Sequence, residues 1–300
     1  MGNFGLGING MVIGGRFMKL FVVSDVHGHL KEMNRDLKEK GYDSTDDNNL
    51  LIVLGDLFDR GEQSKEIFEE LKSLVEAGKA VVLHGNHEDF IIEFLEGKDC
   101  YFNYAHNGFG RTIDSFLGQT RALEMFLFYC QDLPDAALSM YGDRVKPILG
   151  DTVSVPFEVV FDIFQEYARE EILKDNPDLL KWLRELPFYY ETENYIFTHA
   201  SIDGSCKDWK NPKKSKYSFW TPWQYLTWDE GDFYEKPITN TDKTVVVGHF
   251  HTDAIRERYG LEPGKLVNDI LYGDRKIFID ACTILTKRVN VLVIEDNREE

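Results

Sequence analysis

The chain has 300 residues, and its hydrophobic content of 43% is enough for a full-sized core. Its formal net charge of −18 at pH 7 argues against duplex nucleic acid and anionic membranes as partners, since both need a basic face. The four cysteines lie far apart and form no CxxC pair, so neither a disulfide framework nor a zinc knuckle is indicated, and a reducing, cytoplasmic location is the simplest interpretation.

Residues 1–17, MGNFGLGINGMVIGGRF, are rich in glycine and lack the charged and apolar parts of a signal peptide. We expect a flexible leader there, followed by a single domain over residues 18–300. No apolar run of the sequence is long enough to span a bilayer.

Strand-like and helical patterns alternate in the first part of the domain. KLFVVSD, LLIVLGD and AVVLHGN have the composition of buried strands. LKEMNRDLKEKG and EQSKEIFEELKSLVEAG lie between them, with apolar residues at helical spacing and a glycine at the end. The alternation predicts βαβ crossovers and a largely parallel sheet.

The second part of the domain begins with a mostly helical insertion at about 110–185, which we interpret as a cap. Its many aromatic residues form either the core of this cap or a hydrophobic wall for a substrate. Four more strands then follow as YIFTHA, TVVVGH, KIFIDA and VNVLVIE, and the last three predict a second, mixed or antiparallel sheet. The expected fold class is α/β, as an α+β four-layer arrangement of two packed sheets flanked by helices.

Polar residues follow five of the predicted strands at the point where each strand ends. Because ligand sites of such sheets lie beyond the carboxyl ends of the strands, we expect these residues to converge. Seven of the eight histidines lie in or beside these endings, although His29 and His84, like His106 elsewhere, are interpreted as ordinary structural residues. The residues at the endings are Asp25, His27, Asp56, Asn86, His87, His199, His249 and His251.

Carboxylate, imidazole and amide ligands without thiolates suit Mn²⁺, Fe²⁺ or Zn²⁺. Two divalent metal ions fit this number of ligands better than one. A pair of ions roughly 3.5 to 4 Å apart can activate a nucleophile and hold phosphate oxygens together.

Five motifs in this order, DVHG, GDLFDRG, GNHE, THA and GHFH, resemble those of the calcineurin-like metallophosphoesterases. GDLFDRG followed by GNHE is similar to the branch that holds serine/threonine protein phosphatases and bacterial diadenosine tetraphosphatases. The resemblance covers residues 18–295 apart from most of 110–185. It implies that Asp25 and His27 bind the first metal, that Asp56 bridges both metals, and that Asn86, His199 and His249 bind the second.

The resemblance also implies the catalytic roles. His87 is expected to act as general acid, and Asp59 to hold its imidazole in the required tautomer. The alternative for Asp59 is a helix N-terminal aspartate facing the helix dipole. Arg60 is expected to grip a phosphate oxygen, with Asn86 also contacting substrate. Glu88 is expected to support the turn or the following helix.

The chain departs from the family pattern before and after the third motif. His84 stands where protein phosphatases of this branch have Arg. The turn AHNGFGRT could bring Asn107 and Arg111 to the substrate, or it could be a surface turn.

Further departures lie at and before the last motif. YLTWDEGDF offers Asp229 and Glu230 where related enzymes carry a second phosphate-binding Arg. The preceding lysines and tryptophans of residues 210–230 form either a basic aromatic rim or a solvated loop. The additional His251 of GHFH joins the first metal or hydrogen-bonds a phosphate or a neighbouring group.

The leading functional prediction is a two-metal phosphoesterase of the serine/threonine protein phosphatase type, which hydrolyses phosphomonoesters by attack of a metal-bound hydroxide. The alternative is a dinucleoside polyphosphate hydrolase or phosphodiesterase, which the unusual His84 and His251 favour. A third hypothesis is a metal-holding scaffold without activity. The expected partner is a phosphorylated small molecule, a nucleotide or a phosphoprotein.

Overall fold

The computed structural model describes residues 18–118, 157–210, 222–228, 232–261 and 267–296. The strands are β1 Met18–Val23, β2 Asn49–Val53, β3 Ala80–Val82, β4 Tyr189–Glu191, β5 Tyr195–Thr198, β6 Thr244–Val247, β7 Leu271–Gly273, β8 Lys276–Phe278 and β9 Leu292–Asp296. The helices are α1 Leu30–Glu39, α2 Ser64–Glu76, α3 Asn86–Leu95, α4 Tyr101–His106, α5 Phe109–Leu117, α6 Phe157–Asp175, α7 Leu179–Glu185, α8 Pro222–Trp228, α9 Thr252–Arg258 and α10 Thr283–Thr286.

The strands form two sheets, with the orders β3-β2-β1-β9 and β4-β5-β6-β8-β7. In the first sheet β1, β2 and β3 pair in parallel, as the alternation of strands and helices predicted. In the second sheet β5, β6 and β8 are parallel, and the short edge strands β4 and β7 are antiparallel to their neighbours. Parallel strands bring their carboxyl ends to one edge, which positions the residues that follow β1, β2, β3, β5 and β6.

The two faces of each sheet pack on different layers because successive side chains of a strand point in opposite directions. Leu20 and Val22 of β1 pack between the sheets, together with Phe197 of the second sheet. Phe21 and Val23 face the other way and pack with α1, α2 and α3. The outer face of the second sheet has a core of its own. The structure therefore has the predicted four layers, with two packed sheets flanked by helices.

The last strand is placed differently from the expectation for VNVLVIE. β9 leaves the second sheet and pairs antiparallel with β1 at the edge of the first. The alternation of its side chains accounts for this, since Leu292 and Ile294 enter the core between the sheets. Short connections in sequence did not reveal the crossing from one sheet to the other.

The described part of the predicted insertion is helical and consists of α5, α6 and α7. Phe161 and Phe164 of α6 join the core beneath the first sheet, as does Trp182 of α7. These three aromatic residues are thus core residues. Residues 119–156 lie outside the described ranges, as do residues 1–17, for which we expect a leader, and the lysine-rich residues 211–221. Within the described parts of the chain, no helix combines the length and apolar character of a membrane span.

Candidate active site

The polar residues that follow β1, β2, β3, β5 and β6 converge at the carboxyl edge of the two sheets. Hydrogen bonds join residues of this site that are far apart in sequence. For example, the backbone N–H of His249 donates to Oδ2 of Asp25, 224 positions away, at 2.9 Å. Most of these side chains are buried, with Asp56 at 3% exposure and His199 at 0%, whereas His249 and His251 are partly exposed. The structure thus brings together the strand endings that the sequence singled out.

The backbone of this region is strained. Residues other than glycine rarely adopt a positive φ, and strained conformations cluster at functional sites. The side chains of the site also leave no room at two glycines, since a Cβ on Gly248 would lie 1.8 Å from Oγ of Ser24 and one on Gly85 would lie 2.4 Å from Oδ1 of Asp56. The site residues with a positive φ are Asp25, His27, Asp56, Asp59, Arg60 and His249.

One group of possible metal ligands consists of Asp56, His199 and His249. The Nδ1–H of His199 donates to the carbonyl of Leu54 at 2.8 Å, which leaves Nε2 as the ring atom that can act as a ligand. That atom lies 2.9 Å from Oδ1 of Asn86 and 3.3 Å from Oδ1 of Asp56. Three acceptor atoms face one another here, and a cation would satisfy all three.

A second group consists of His27, Asp56 and His87. The Nδ1–H of His27 donates to the carbonyl of Phe58 at 2.8 Å, which leaves Nε2 directed towards Oδ2 of Asp56 at 3.6 Å. The guanidinium of Arg60 lies against both imidazoles, 2.9 Å from Nε2 of His27 and 3.2 Å from Nε2 of His87. Asp56 belongs to both groups, which is the position that a bridging ligand requires.

Electrostatics make the donor set suitable for divalent metal ions. Burial by itself raises the pKa of Asp56, but the surrounding histidines, His199 first, outweigh it and hold that pKa low, so the carboxylate is ionised. Burial lowers the pKa of His27 well below its usual value, and the neighbouring His87 lowers it further. A neutral His27 and an ionised Asp56 are the forms that bind Mn²⁺, Fe²⁺ or Zn²⁺.

His87 carries an orienting partner on the side away from the metal ligands. Its Nδ1–H donates to Oδ2 of Asp59 at 2.5 Å. Burial by itself lowers the pKa of His87, but the charge of Asp56 and the hydrogen bond that His87 donates to Asp59 outweigh it and raise this pKa. Asp59 is in turn held by Thr112, whose hydroxyl donates to Oδ1 at 2.6 Å and accepts the backbone N–H of Asp59 at 2.8 Å.

Glu88 holds the loops of the second and third motifs together. Its Oε2 accepts the backbone N–H of Asp56 at 2.9 Å and that of Gly85 at 2.7 Å. Its Oε1 accepts the backbone N–H of Leu57 at 2.9 Å. Glu88 therefore supports the turn before α3, as expected, and in addition the loop that presents Asp56.

Three of the residues singled out from the sequence lie apart from the two groups of ligands. His251 is partly exposed, and its Nε2 is 3.7 Å from Oδ2 of Asp280. Asn107 donates from its side chain to Asn103 within α4 and the turn that follows, at 2.8 Å. Arg111 pairs with Glu62 at 3.4 Å on an exposed surface. A metal-binding His251 and a substrate-binding Asn107 remain predictions.

The sequence did not single out Thr112 or assign a role to Asp280. Thr112 is the last residue of the quoted AHNGFGRT turn, but a lone threonine has no chemical pattern that predicts a contact 53 positions away. Asp280 ends the apolar run after β8, so it shares the pattern of the other endings. It is buried beside Asp25, and burial together with that charge raises its pKa well above the usual value.

Comparisons with known proteins agree with the motifs. The family model described as calcineurin-like phosphoesterase matches residues 18–279. The chain is similar to the asymmetrical bis(5'-nucleosyl)-tetraphosphatase PrpE of Anoxybacillus flavithermus, with 34% identity over 84 residues, 26% of this chain and 34% of the relative. It is also similar to the symmetrical bis(5'-nucleosyl)-tetraphosphatase of Pasteurella multocida, with 37% identity over 80 residues, 27% of this chain and 28% of the relative.

These alignments span about a third of the length of the curated relatives, or less. Among solved structures, the chain is similar to the cold-active protein-tyrosine phosphatase of a psychrophilic Shewanella species. That match has a TM-score of 0.48 and 15% identity, and it covers 94% of this chain and 77% of the other.

Proposed function

Since the chain belongs to the calcineurin-like phosphoesterase family, whose model matches residues 18–279, we propose that it is a two-metal phosphoesterase. The single observation that carries the proposal is the buried pair of His87 and Asp59, placed directly beside Asp56 and its histidines. A metal site alone would need no such proton donor. The pair supports hydrolysis over the metal-holding scaffold.

The two groups supply His27, Asp56, His199 and His249 as proposed ligands, and the resemblance to the family motifs adds Asp25 and Asn86. Asp25, His27 and Asp56 would hold the first divalent ion, and Asp56, Asn86, His199 and His249 the second. When bound, the ions supply Lewis acidity and an activated water as nucleophile. His27 and His199 are oriented for this by the backbone carbonyls of Phe58 and Leu54, which accept the Nδ1–H of each ring and so make Nε2 the atom that would bind a metal ion.

The reacting phosphate would be held and its leaving group protonated by protein groups. Arg60 offers a planar pair of donors beside Nε2 of His87, which suits two oxygens of one phosphate. His87 would donate a proton from Nε2 to the departing oxygen, while Asp59 stabilises the imidazolium from the Nδ1 side. Burial of both side chains excludes competing water from this transfer.

Two substrate classes are candidates. Phosphomonoesters, including phosphoserine and phosphothreonine, are supported by the one arginine fork at the described site, which is sufficient for a single phosphate. Dinucleoside polyphosphates are supported by the curated relatives, which are named as tetraphosphatases. The reducing, cytoplasmic location remains part of the proposal, and the three described cysteines Cys100, Cys206 and Cys282 are free thiols.

A substrate panel tests this function. The Mn²⁺-loaded protein is expected to hydrolyse an aryl phosphate and to lose that activity in chelator. The same preparation is then assayed with a phosphoserine peptide, diadenosine tetraphosphate and a phosphodiester, and the ranking of kcat/KM assigns the class. No turnover of any of these substrates with Mn²⁺, Fe²⁺ or Zn²⁺ would favour the scaffold.

A further inference from the structure

Two partly exposed aromatic rings lead away from His87. Phe90, one turn further along α3, has its ring centroid 5.0 Å from that of His87, in a T-shaped arrangement. Trp228 of α8 lies 5.7 Å from Phe90, again T-shaped. Both distances are typical of attractive aromatic pairs. Since His87 is buried whereas Phe90 and Trp228 are partly exposed, this aromatic surface begins at the site and opens towards solvent.

The indole of Trp228 is held in place by a chain of two hydrogen bonds. Its Nε1–H donates to Oδ2 of Asp89 at 3.1 Å, and Oδ1 of Asp89 accepts the Nε2–H of His84 at 2.8 Å. The His84 ring is buried and packs on Phe188 with a centroid distance of 4.8 Å. His84, which stands where the related protein phosphatases have Arg before GNHE, thus anchors the indole of Trp228 through Asp89.

A rigid, partly exposed indole is suited to binding a flat group. An aromatic ring fixed before binding loses little conformational entropy when a ligand stacks on it. Every nucleobase has a π-face, and stacking on aromatic side chains is how proteins bind bases without reading their sequence.

The position of the surface indicates which part of a substrate would reach it. The atom that accepts a proton from His87 belongs to the leaving group, so the remainder of the leaving group lies next to His87. The two ring-to-ring steps of 5.0 and 5.7 Å lead outward from there. When the leaving group is a nucleoside phosphate, its phosphate and its ribose separate the departing oxygen from the base, which places the base beyond His87 and alongside these rings. The leaving group of phosphoserine has no flat group to stack.

We propose that Phe90 and Trp228 form a nucleobase subsite, and that the leaving group of the preferred substrate is a nucleoside phosphate. This inference rests on the proposed phosphoesterase function and selects the dinucleoside polyphosphate class within it. The subsite recognises the flat base, while Arg60, together with the metal ions that the site would hold, binds the reacting phosphate.

The first test measures binding, without turnover. AMP and ribose 5-phosphate share a phosphate and a ribose, and only AMP has a base. The Mn²⁺-loaded wild type should bind AMP about 5- to 100-fold more tightly than ribose 5-phosphate in calorimetry, the range expected for one stacked base. Trp228→Leu should bind the two equally, whereas Trp228→Phe should retain a preference for AMP.

The second test measures turnover of diadenosine tetraphosphate and of inorganic tetraphosphate, which has the same phosphoanhydride without bases. Trp228→Leu and Phe90→Leu should lower kcat/KM for the first about 5- to 100-fold and leave the second nearly unchanged. Tyr272→Leu serves as the matched control, because Tyr272 is 63% exposed on the edge strand β7 and should have no effect on either.

The outcomes distinguish failure of the nucleobase subsite from failure of the proposed phosphoesterase function. Equal losses on the two polyphosphates, or equal binding of AMP and ribose 5-phosphate by the wild type, would overturn the subsite while the enzyme remains active. A phosphoserine peptide that exceeds diadenosine tetraphosphate in kcat/KM and depends on Trp228 would make the surface a peptide groove and also overturn it. Absence of all phosphoester turnover would contradict the proposed function. The comparison of AMP with ribose 5-phosphate in the binding test would still decide whether the base is bound.

Discussion

The orientation and the tautomer of His87 are fixed at Nδ1, on the side of the ring away from the proposed substrate. Asp59 accepts its Nδ1–H at 2.5 Å, and Thr112 fixes Asp59 through both its side chain and its backbone. Asp59 and Thr112 have 0% and 1% exposure, so water does not compete for these hydrogen bonds. The arrangement leaves Nε2 as the atom of His87 that exchanges a proton with a substrate.

Replacing His87 with Ala is therefore expected to depend on the leaving group. Turnover of an alkyl phosphate, whose leaving oxygen needs a proton, should fall by about 10² to 10⁴. An activated aryl phosphate should lose much less, because its leaving group departs as a stable anion. Steady-state kinetics on both substrates check this, and equal losses would assign His87 another role.

Thr112 is expected to position Asp59. Thr112→Val removes the hydroxyl that donates to Asp59, so the orientation of His87 should weaken and kcat should fall roughly tenfold for an alkyl phosphate. The pKa of His87, raised in the intact site, should also decrease. Because a general acid acts below its pKa, the alkaline limb of the pH–rate profile should then move to lower pH.

Thr112→Ser keeps the hydroxyl and is the matched control. It should retain both the rate and the profile of the wild type. If Thr112→Val loses activity with an unshifted profile, or if the serine variant fails to rescue it, Thr112 contributes packing alone.

Asp56→Asn should remove most of the bound metal. Asp56 is shared by both ligand groups, so the loss of its charge weakens both sites. Elemental analysis after dialysis is expected to show a large decrease in metal, accompanied by loss of activity. Asp178→Asn, at a side chain that is 69% exposed, should leave the metal content unchanged. Wild-type protein that is free of transition metal yet fully active in chelator would contradict the two-metal proposal.

At this scale the sequence predicted residue types better than contacts. The polar endings after the strands are visible as a pattern, and the structure brings most of them within hydrogen-bonding distance of one another. Thr112 and the link from His84 to Trp228 depend on side-chain directions across helices and loops. Those directions are set by packing, and no spacing in the sequence encodes them.

The elements of the site are joined by one buried carboxylate. Glu88, in the first turn of α3, accepts three backbone N–H groups from the loops after β2 and β3. It is completely buried, so the three donors have no water to replace it. The loop that presents Asp56 is therefore fixed relative to α3, which presents Asn86 and His87.

Glu88→Gln should destabilise the fold even though it changes few atoms. The amide retains one acceptor oxygen and directs an N–H₂ group at a backbone donor, which leaves that donor unsatisfied at a cost of about 1–3 kcal/mol. Urea unfolding of the metal-free protein measures the difference. Glu93→Gln on the same helix, with a side chain that is 47% exposed, should change stability by less than about 0.5 kcal/mol. Equal effects would show that the three hydrogen bonds do not hold the loops.

The sequence predicted the long elements of the first sheet well, and the edges poorly. The periodic burial of Leu30, Met33 and Leu37 on α1 is what their spacing indicated. The edge strands β4 and β7 have three residues each, too few for a periodic pattern. β9 was recognised as a strand, but the sheet it joins depends on which core its alternate residues can enter.

Across the whole molecule, the net charge is strongly negative, whereas the proposed metal site would attract anions. The chain carries a net charge of −18, whereas the site would combine two divalent cations with Arg60. Salt screens exposed charges beyond roughly 8 Å, so the metal ions act on a phosphate only once it is close. A small substrate carries only one or a few negative charges, so its repulsion by the acidic chain is small. The attraction of the metal ions and Arg60 can offset that repulsion.

A polyanion is repelled by the acidic chain along its whole length, so we expect the enzyme to discriminate against nucleic acid. Duplex DNA carries one charge per roughly 1.7 Å, and binding it would require a basic track that opposes the net charge of this chain. Catalytic efficiency should therefore rank small phosphoesters and nucleotides far above single-stranded or duplex DNA, and lowering the salt concentration should widen the gap because repulsion is then less screened. Assays with Mn²⁺ at two salt concentrations measure both effects. A preference for small substrates that is independent of salt would point to steric restriction in place of charge, and DNA cleavage comparable with the best small phosphoester would refute the exclusion altogether.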